Sequence, residues 1–139
     1  MQMLPKEVEL YISQILAQAK NGIVISDPNQ EDNPLIYVNQ SFIDLFGYEY
    51  DEVIGKNCRY LQGEDREQKG IQKIRDAMKE QKPITTILRN YTKSGRLIYN
   101  EATISPIFDK DSGKIKYFLG IQKDVTKEQE LLNQIKGLV

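Results

Sequence analysis

Histidine and tryptophan are absent from this sequence of 139 residues, and cysteine occurs once. Without histidine there is no imidazole base, no Ser-His or Cys-His pair, no histidine-ligated haem and no ordinary zinc site. Conventional hydrolytic catalysis is therefore disfavoured. A single thiol cannot close an internal disulfide, which agrees with a reducing compartment and leaves only pairing between chains. Long apolar runs are missing too: none approaches the about 20 residues of a membrane span, and Lys6, Glu7 and Glu9 do not fit a signal peptide. Nor is there an excess of one charge, since 19 Lys and Arg face 20 Asp and Glu. They are interspersed, with no basic stripe of the kind that tracks nucleic acid or an anionic membrane. The sequence reads as one soluble, cytoplasmic domain, long enough for a core and too short for a sensor plus a separate catalytic domain.

What is present falls into three stretches. Val8, Tyr11, Ile12, Ile15, Leu16 and Ala19 recur at helical spacing, which predicts an amphipathic helix of three turns stopped at Asn21-Gly22. Residues 22–27 and 35–38 read as short strands around a turn-rich segment, able to pair as a loose hairpin. Between 40 and 80 the signals are helical: Ser41 as a cap, Gly47 as a stop, and Ile71, Ile74 and Met78 on one face of a longer helix. After Pro83 the runs 84–92, 96–108 and 114–125 read as antiparallel strands joined by hairpins. From Asp124 the chain turns helical again, with Val125, Leu132 and Val139 spaced by seven. That spacing suits a short coiled coil or a helix packed on its own sheet. The expected fold class is α+β. The expected divisions are an N-terminal helix at 1–21, a core domain at 22–126 and a C-terminal helix at 127–139.

Side-chain alternation along the long strands puts Thr86, Leu88 and Asn90 on one face, with Asn100, Ala102 and Ile104, and with Phe118, Gly120 and Gln122. Each set carries one carboxamide among apolar or small residues. A buried amide without partners costs on the order of 1–3 kcal/mol, so the three either bond one another or meet a flat polar ring on this face. Gly120 would let such a ring approach the backbone. The opposite face, with Ile87, Tyr91, Tyr99, Tyr117, Leu119 and Ile121, is apolar enough to need cover by a terminal helix or a second subunit. Cys58 stands between Asn57 and Arg59 in the run Asn57-Cys58-Arg59-Tyr60-Leu61-Gln62, a thiol beside a guanidinium and amides.

That run is similar to the Asn-Cys-Arg-Phe-Leu-Gln signature of LOV domains, the flavin-binding, blue-light-sensing branch of the PAS family. Arg89-Asn90-Tyr91, Tyr99-Asn100-Glu101 and Gly120-Ile121-Gln122 fall at the spacing that family uses for its later flavin contacts. The resemblance runs from about residue 22 to 126. It implies the PAS fold, a five-stranded antiparallel sheet with short helices on one side cradling a flavin. It also implies a photosensory module rather than an enzyme.

Residue by residue, the resemblance makes Cys58 the thiol that adds reversibly to the flavin C4a carbon after blue light. Gln122 faces N5 and O4 and rotates its amide, and Asn90 and Asn100 bond the pyrimidine edge. Arg59 and Arg75 grip the phosphate of FMN, with FAD or riboflavin as lesser candidates. Asn57 and Gln62 contact the ribityl chain and phosphate. Val24, Ser26, Asn33, Leu61, Leu88, Ile104, Phe118 and Gly120 line the pocket. Tyr60, Ser26, Ile98 and Ala102 depart from the usual residues, and Ala102 leaves slack beside the ring. The partners implied are the flavin and a second copy joined through the terminal helices or the outer sheet face, with no nucleic acid and no membrane. A flavin-binding redox sensor and a PAS dimerisation module without photochemistry remain as alternatives.

Overall fold

Regular alternation in the last third of the chain makes three long strands, and two short strands near the start complete their sheet. In the computed structural model, which describes residues 5–138, these are β1 Gly22–Ser26, β2 Leu35–Val38, β3 Ile84–Tyr91, β4 Leu97–Phe108 and β5 Ile115–Asp124. Their order is β2-β1-β5-β4-β3 and every pairing is antiparallel. Register carries the inner face across the sheet: Gly22, Gln122, Ala102 and Thr86 lie in one row, and Val24, Gly120, Ile104 and Ile84 in the next. The predicted parity holds, with Leu88, Asn90, Asn100, Ala102, Phe118, Gly120 and Gln122 all buried.

Helices cover the inner face. They are α3 Gln40–Phe46, α4 Tyr50–Val53, the 3-10 helix Cys58–Gln62 and α5 Lys69–Glu80. Phe42, Phe46, Val53 and Leu61 join Val24, Leu35, Val38 and Ile98 in a core cluster beneath α3 and α4. The cap of α3 is Asn39 rather than Ser41. Its Oδ1 accepts from Phe42 N at 3.1 Å and from Ile23 N at 2.8 Å, while the Ser41 hydroxyl donates to Ala19 O at 2.6 Å. Asn39 Nδ2 also reaches Leu16 O and Asn21 O, so one buried amide ties the N-terminal segment, β1 and α3 together. The N-terminal helix is broken into α1 Lys6–Glu9 and α2 Ile12–Ala17, ending before Asn21-Gly22.

Among the described residues, none in α1, α2 or the C-terminal helix is buried. The C-terminal helix, α6 Thr126–Gly137, is fastened at its root, where Val125 N donates to Tyr99 O and Tyr99 N to Thr126 Oγ1, 2.9 and 3.0 Å. Beyond that root no residue of α6 is buried, and Leu131, Leu132, Ile135 and Leu138 are exposed. The heptad position at Val139 lies outside the described residues, as do residues 1–4.

The loop from 63 to 68 passes from the 3-10 helix to α5 and is clipped to the free edge of β3. Gln68 Oε1 accepts from Arg89 N at 2.7 Å and Gln68 Nε2 donates to Arg89 O at 2.9 Å, so one side chain satisfies an edge residue as a neighbouring strand would. Asp65 accepts from Arg89 Nε, Arg89 Nη2 and the Tyr91 hydroxyl at 2.7, 2.8 and 2.7 Å. Immediately afterwards Gly70 brings α5 hard against β3, where an added Cβ would stand 2.8 Å from Leu88 Cδ2 and 2.9 Å from Ile87 O. Alanine ordinarily favours a helix over glycine by about 1 kcal/mol, but overpacking against backbone costs about 1–3 kcal/mol and should win. Gly70→Ala is therefore expected to lower stability to urea by about 1–2 kcal/mol; an unchanged or higher midpoint would mean that α5 shifts freely on the sheet.

Candidate functional site

Between the inner sheet face and the cover of α5 and the 3-10 helix lies a cavity of about 400 Å³, within the range of small-ligand sites. Val24, Leu88, Ala102, Ile104 and Phe118 form its apolar floor, and Ile71, Ile74 and Met78 of α5 form the facing wall. Gly120 has a steric reason to be there, since a Cβ would sit 2.7 Å from Val24 Cγ2 and 3.2 Å from Gln122 Nε2. Ser26, Asn33, Asn57, Cys58, Arg59, Gln62, Arg75, Asn90 and Gln122 complete the set of sequence-derived residues that the fold brings to this wall.

Asn57 starts the 3-10 helix: its Oδ1 accepts from Arg59 N at 2.9 Å and its Nδ2 donates to Asp32 O at 2.7 Å. The preceding backbone is paired to β2, with Leu35 N donating to Lys56 O and Gly55 N to Leu35 O at 2.9 and 2.8 Å. Cys58 is thus delivered to the cavity by a segment anchored on both sides. Burial pushes its thiol up to about 12, and no cation offsets that cost. The neighbouring guanidinium of Arg59 is instead paired with Asp32, whose carboxyl it holds below the usual carboxylate range. Cys58 is consequently a neutral thiol at physiological pH.

At the buried end the three amides meet. Asn100 Nδ2 donates to Asn90 Oδ1 at 2.9 Å and also to Gln122 Oε1, while Asn90 Nδ2 donates to Arg89 O at 3.0 Å. Asn90 and Gln122 face the cavity; Asn100, only 1% exposed, stands behind them. Leu61 likewise sits in the core cluster and not on the cavity wall. Asn100 is the middle member of the hydrogen-bonded row of amides.

The open end is charged. Arg59, Arg66 and Arg75 are all exposed there, with Asp32 as the acidic neighbour. Sequence reading passed over Pro28, Gln30, Asp32, Leu35 and Arg66. It took Ile71, Ile74 and Met78 as a helix face without assigning that face to a site. Arg66 lies among Glu64, Asp65 and Glu67, a context that reads as solvated surface; only its place in the loop after Gln62 marked it. Asn33 Oδ1 and Gln62 Oε1, on residues that line the cavity, are buried without a hydrogen-bond partner, as are Asn100 Oδ1 and the Tyr60 hydroxyl. Such groups call for a donor-bearing ligand.

The PAS domain family matches residues 20–127, and the chain belongs to it. Within that family it is a LOV domain. The solved LOV domain of a blue-light activated histidine kinase from Erythrobacter litoralis is 34% identical, with a TM-score of 0.72, and the match covers 78% of this chain and 98% of that one. A structure of an RNA-binding light-oxygen-voltage receptor gives 31% identity and a TM-score of 0.88 over 98% of this chain and 39% of that one. A blue-light photoreceptor of Listeria monocytogenes is 45% identical over 109 residues, which is 78% of this chain and 42% of that protein. The chain therefore spans about two-fifths of that curated relative.

The raised Cys58 pKa gives a direct expectation. Desolvation raises the thiol from its ordinary value of 9.0 to about 12 while Cys58 is half-buried on the cavity wall, so at pH 8 the thiolate population should lie well below that of a free thiol. Dark alkylation by iodoacetamide should be correspondingly slow and should quicken on unfolding in urea. Fast labelling of the folded chain at pH 8 would contradict a neutral thiol.

Proposed function

We propose that Cys58 is the photoreactive thiol of this LOV domain and that its cofactor is FMN. The domain is a blue-light photoreceptor module, and its cofactor class is a flavin. The observation that carries the finer reading is the gradient along one cavity: buried amides of Asn90 and Gln122 at one end, Cys58 on the wall, exposed Arg59 and Arg75 at the other. An amphipathic plate with an imide edge and a phosphate tail suits those three environments in that order. The unpartnered oxygens of Asn33 and Gln62 suit the hydroxyls of a ribityl chain. A bound flavin would supply the blue-light absorption and the C4a carbon to which the Cys58 sulfur adds reversibly.

The chain's own part is to keep Cys58 protonated in the dark and to read a change at Gln122. Asn90 is fixed by Arg89 O, which accepts from its Nδ2, and this points Asn90 Oδ1 at Asn100 Nδ2. Asn100 cannot turn without setting its oxygen against that of Asn90. Gln122 can turn, but its Nε2 would then face the Nδ2 of Asn100, donor against donor, and the Asn100–Gln122 bond would be lost. That bond joins β4 to β5 where Asn100 pairs with Asp124, one residue before the root of α6. Its loss would loosen the root held by Tyr99, Val125 and Thr126, shifting α6 between packings.

Exposed Leu131, Leu132, Ile135 and Leu138 support α6 as a dimerisation helix, with effector activity residing elsewhere. The dispersed charge supports a domain that does not itself contact nucleic acid.

Illumination tests the reading. The protein should be yellow, bleach under blue light and recover in darkness; Cys58→Ala should keep the flavin and lose the reversible bleaching. Flavin that responds only to reductant would favour a redox sensor, and a colourless chain unable to take up flavin would favour a pure interaction module. Gln122→Leu should still bleach but show less light-induced amide exchange in residues 126–137; an unaltered exchange response would remove Gln122 from the path. Ala102, 2% exposed and on the cavity floor, is flanked by Gln122 and Thr86. Ala102→Leu should fill slack and change both dark recovery and flavin affinity, and no change in either would refute a packing role.

A further inference from the structure

We propose that Met78 is a light-driven oxidation site, its thioether converted to the sulfoxide by dioxygen excited inside the flavin cavity in competition with the addition of Cys58. The inference rests on the reading of a flavin in this cavity with Cys58 as its photoreactive thiol, and it adds a second chemistry to the same wall. Met78 stands on α5 with Ile71 and Ile74, at the spacing of one helix face, and lines the cavity opposite the sheet. It is half-buried there.

The composition of the wall decides which side chain reacts. Excited dioxygen attacks the rings of histidine, tryptophan and tyrosine and the sulfurs of methionine and cysteine, and it spares aliphatic and amide groups. The chain has no histidine and no tryptophan, and among the described residues that line the cavity there is no tyrosine. Two sulfurs are left, those of Cys58 and Met78. Burial pushes the Cys58 thiol up to about 12, and a neutral thiol is the slow form toward oxidants. The thioether has no proton to lose and reacts as it stands. The other methionines, Met1 and Met3, lie outside the described residues.

A bound flavin supplies the excitation under blue light. Addition of Cys58 consumes it, and dioxygen takes up what that addition misses. The sulfur of Met78 then gains the oxygen atom of a water molecule and gives up an electron pair. The excited dioxygen leaves with that pair and both water protons as hydrogen peroxide. The product sets a polar S=O in a wall shared with Ile71 and Ile74, facing an apolar floor that includes Ile104 and Phe118. An acceptor added to such a wall weakens it, so the light dose is recorded in the grip on the cofactor, and reduction of the sulfoxide erases the record.

The test illuminates the flavin-loaded full-length chain in air, cleaves it after lysine and weighs peptides 74–79 and 1–6, which separate Met78 from Met1 and Met3. Peptide 74–79 should gain one oxygen atom, several-fold faster in Cys58→Ala than in the wild type. The gain should vanish under argon and persist in azide, which quenches excited dioxygen only after it has left the cavity. Oxidised Cys58→Ala should release its flavin about fivefold faster on dilution, as one poorly paired polar group would cause. Cys58→Ala combined with Met78→Leu should show no such light-dependent change. No oxygen on 74–79 in flavin-loaded Cys58→Ala would overturn the assignment, as would an equal gain on both peptides that azide abolishes, which is oxidation from the bulk. Equal rates in the wild type and Cys58→Ala would overturn the competition. Reversible bleaching is recorded on the same samples: its absence in the wild type would overturn the Cys58 reading, while the mass of 74–79 judges Met78 by itself.

Discussion

A carboxamide buried on the inner face of a β-sheet must find partners, and in this domain three of them, on three adjacent strands, are chained through a single nitrogen. Asn100 Nδ2 supplies both Asn90 and Gln122, while Arg89 O at the edge strand fixes which way Asn90 points. Polarity is thereby set along the whole row. Once Asn90 is fixed, Asn100 is fixed, and the proposed function leaves the choice to Gln122. The cavity floor, the pairing of β4 with β5 and the root of α6 all meet at that choice. A sheet with apolar residues at these positions would pack as well or better, but it would contain no element with two hydrogen-bonding states.

The same economy governs Cys58. A thiol next to an arginine would ordinarily be expected to ionise more easily, which would make a dark-reactive nucleophile. Here Arg59 is paired with Asp32, and desolvation alone shifts the thiol, leaving it neutral. Sequence adjacency of Cys58 and Arg59 thus describes two groups working in separate environments. One faces the interior, and the other is held at the mouth by an acid 27 positions away in the chain.

Much of this was legible from the residues. Alternation in the last third of the chain placed Leu88, Asn90, Ala102, Phe118, Gly120 and Gln122 on one face because strand parity is a local property. Signature residues of the LOV family did the same for Asn57, Cys58, Arg59 and Gln62. What stayed hidden depended on partners distant in sequence. Asn39 caps α3 in place of Ser41 because only Asn39 is also reached by Ile23 N and two carbonyls of the N-terminal segment. Asn100 shares the inner face with Asn90 and Gln122 yet is screened by them, which parity alone does not reveal. Arg66 was concealed by acidic neighbours whose commitments, Asp65 to Arg89 above all, exist only in the folded chain.

Edge strands explain why that last contact lies where it does. β3 closes the sheet with outward-facing backbone groups that would otherwise invite a further strand. Gln68 occupies those of Arg89, and the loop bearing it is then drawn across the edge, so one covering device also shapes a cavity wall. Because Arg89 O accepts from both Gln68 and Asn90, the clasp and the amide chain share one carbonyl. The two ends of the cavity, the amides within and the arginines outside, are therefore joined through a single residue of the edge strand. The loop and the amide chain thus meet at one backbone carbonyl of β3.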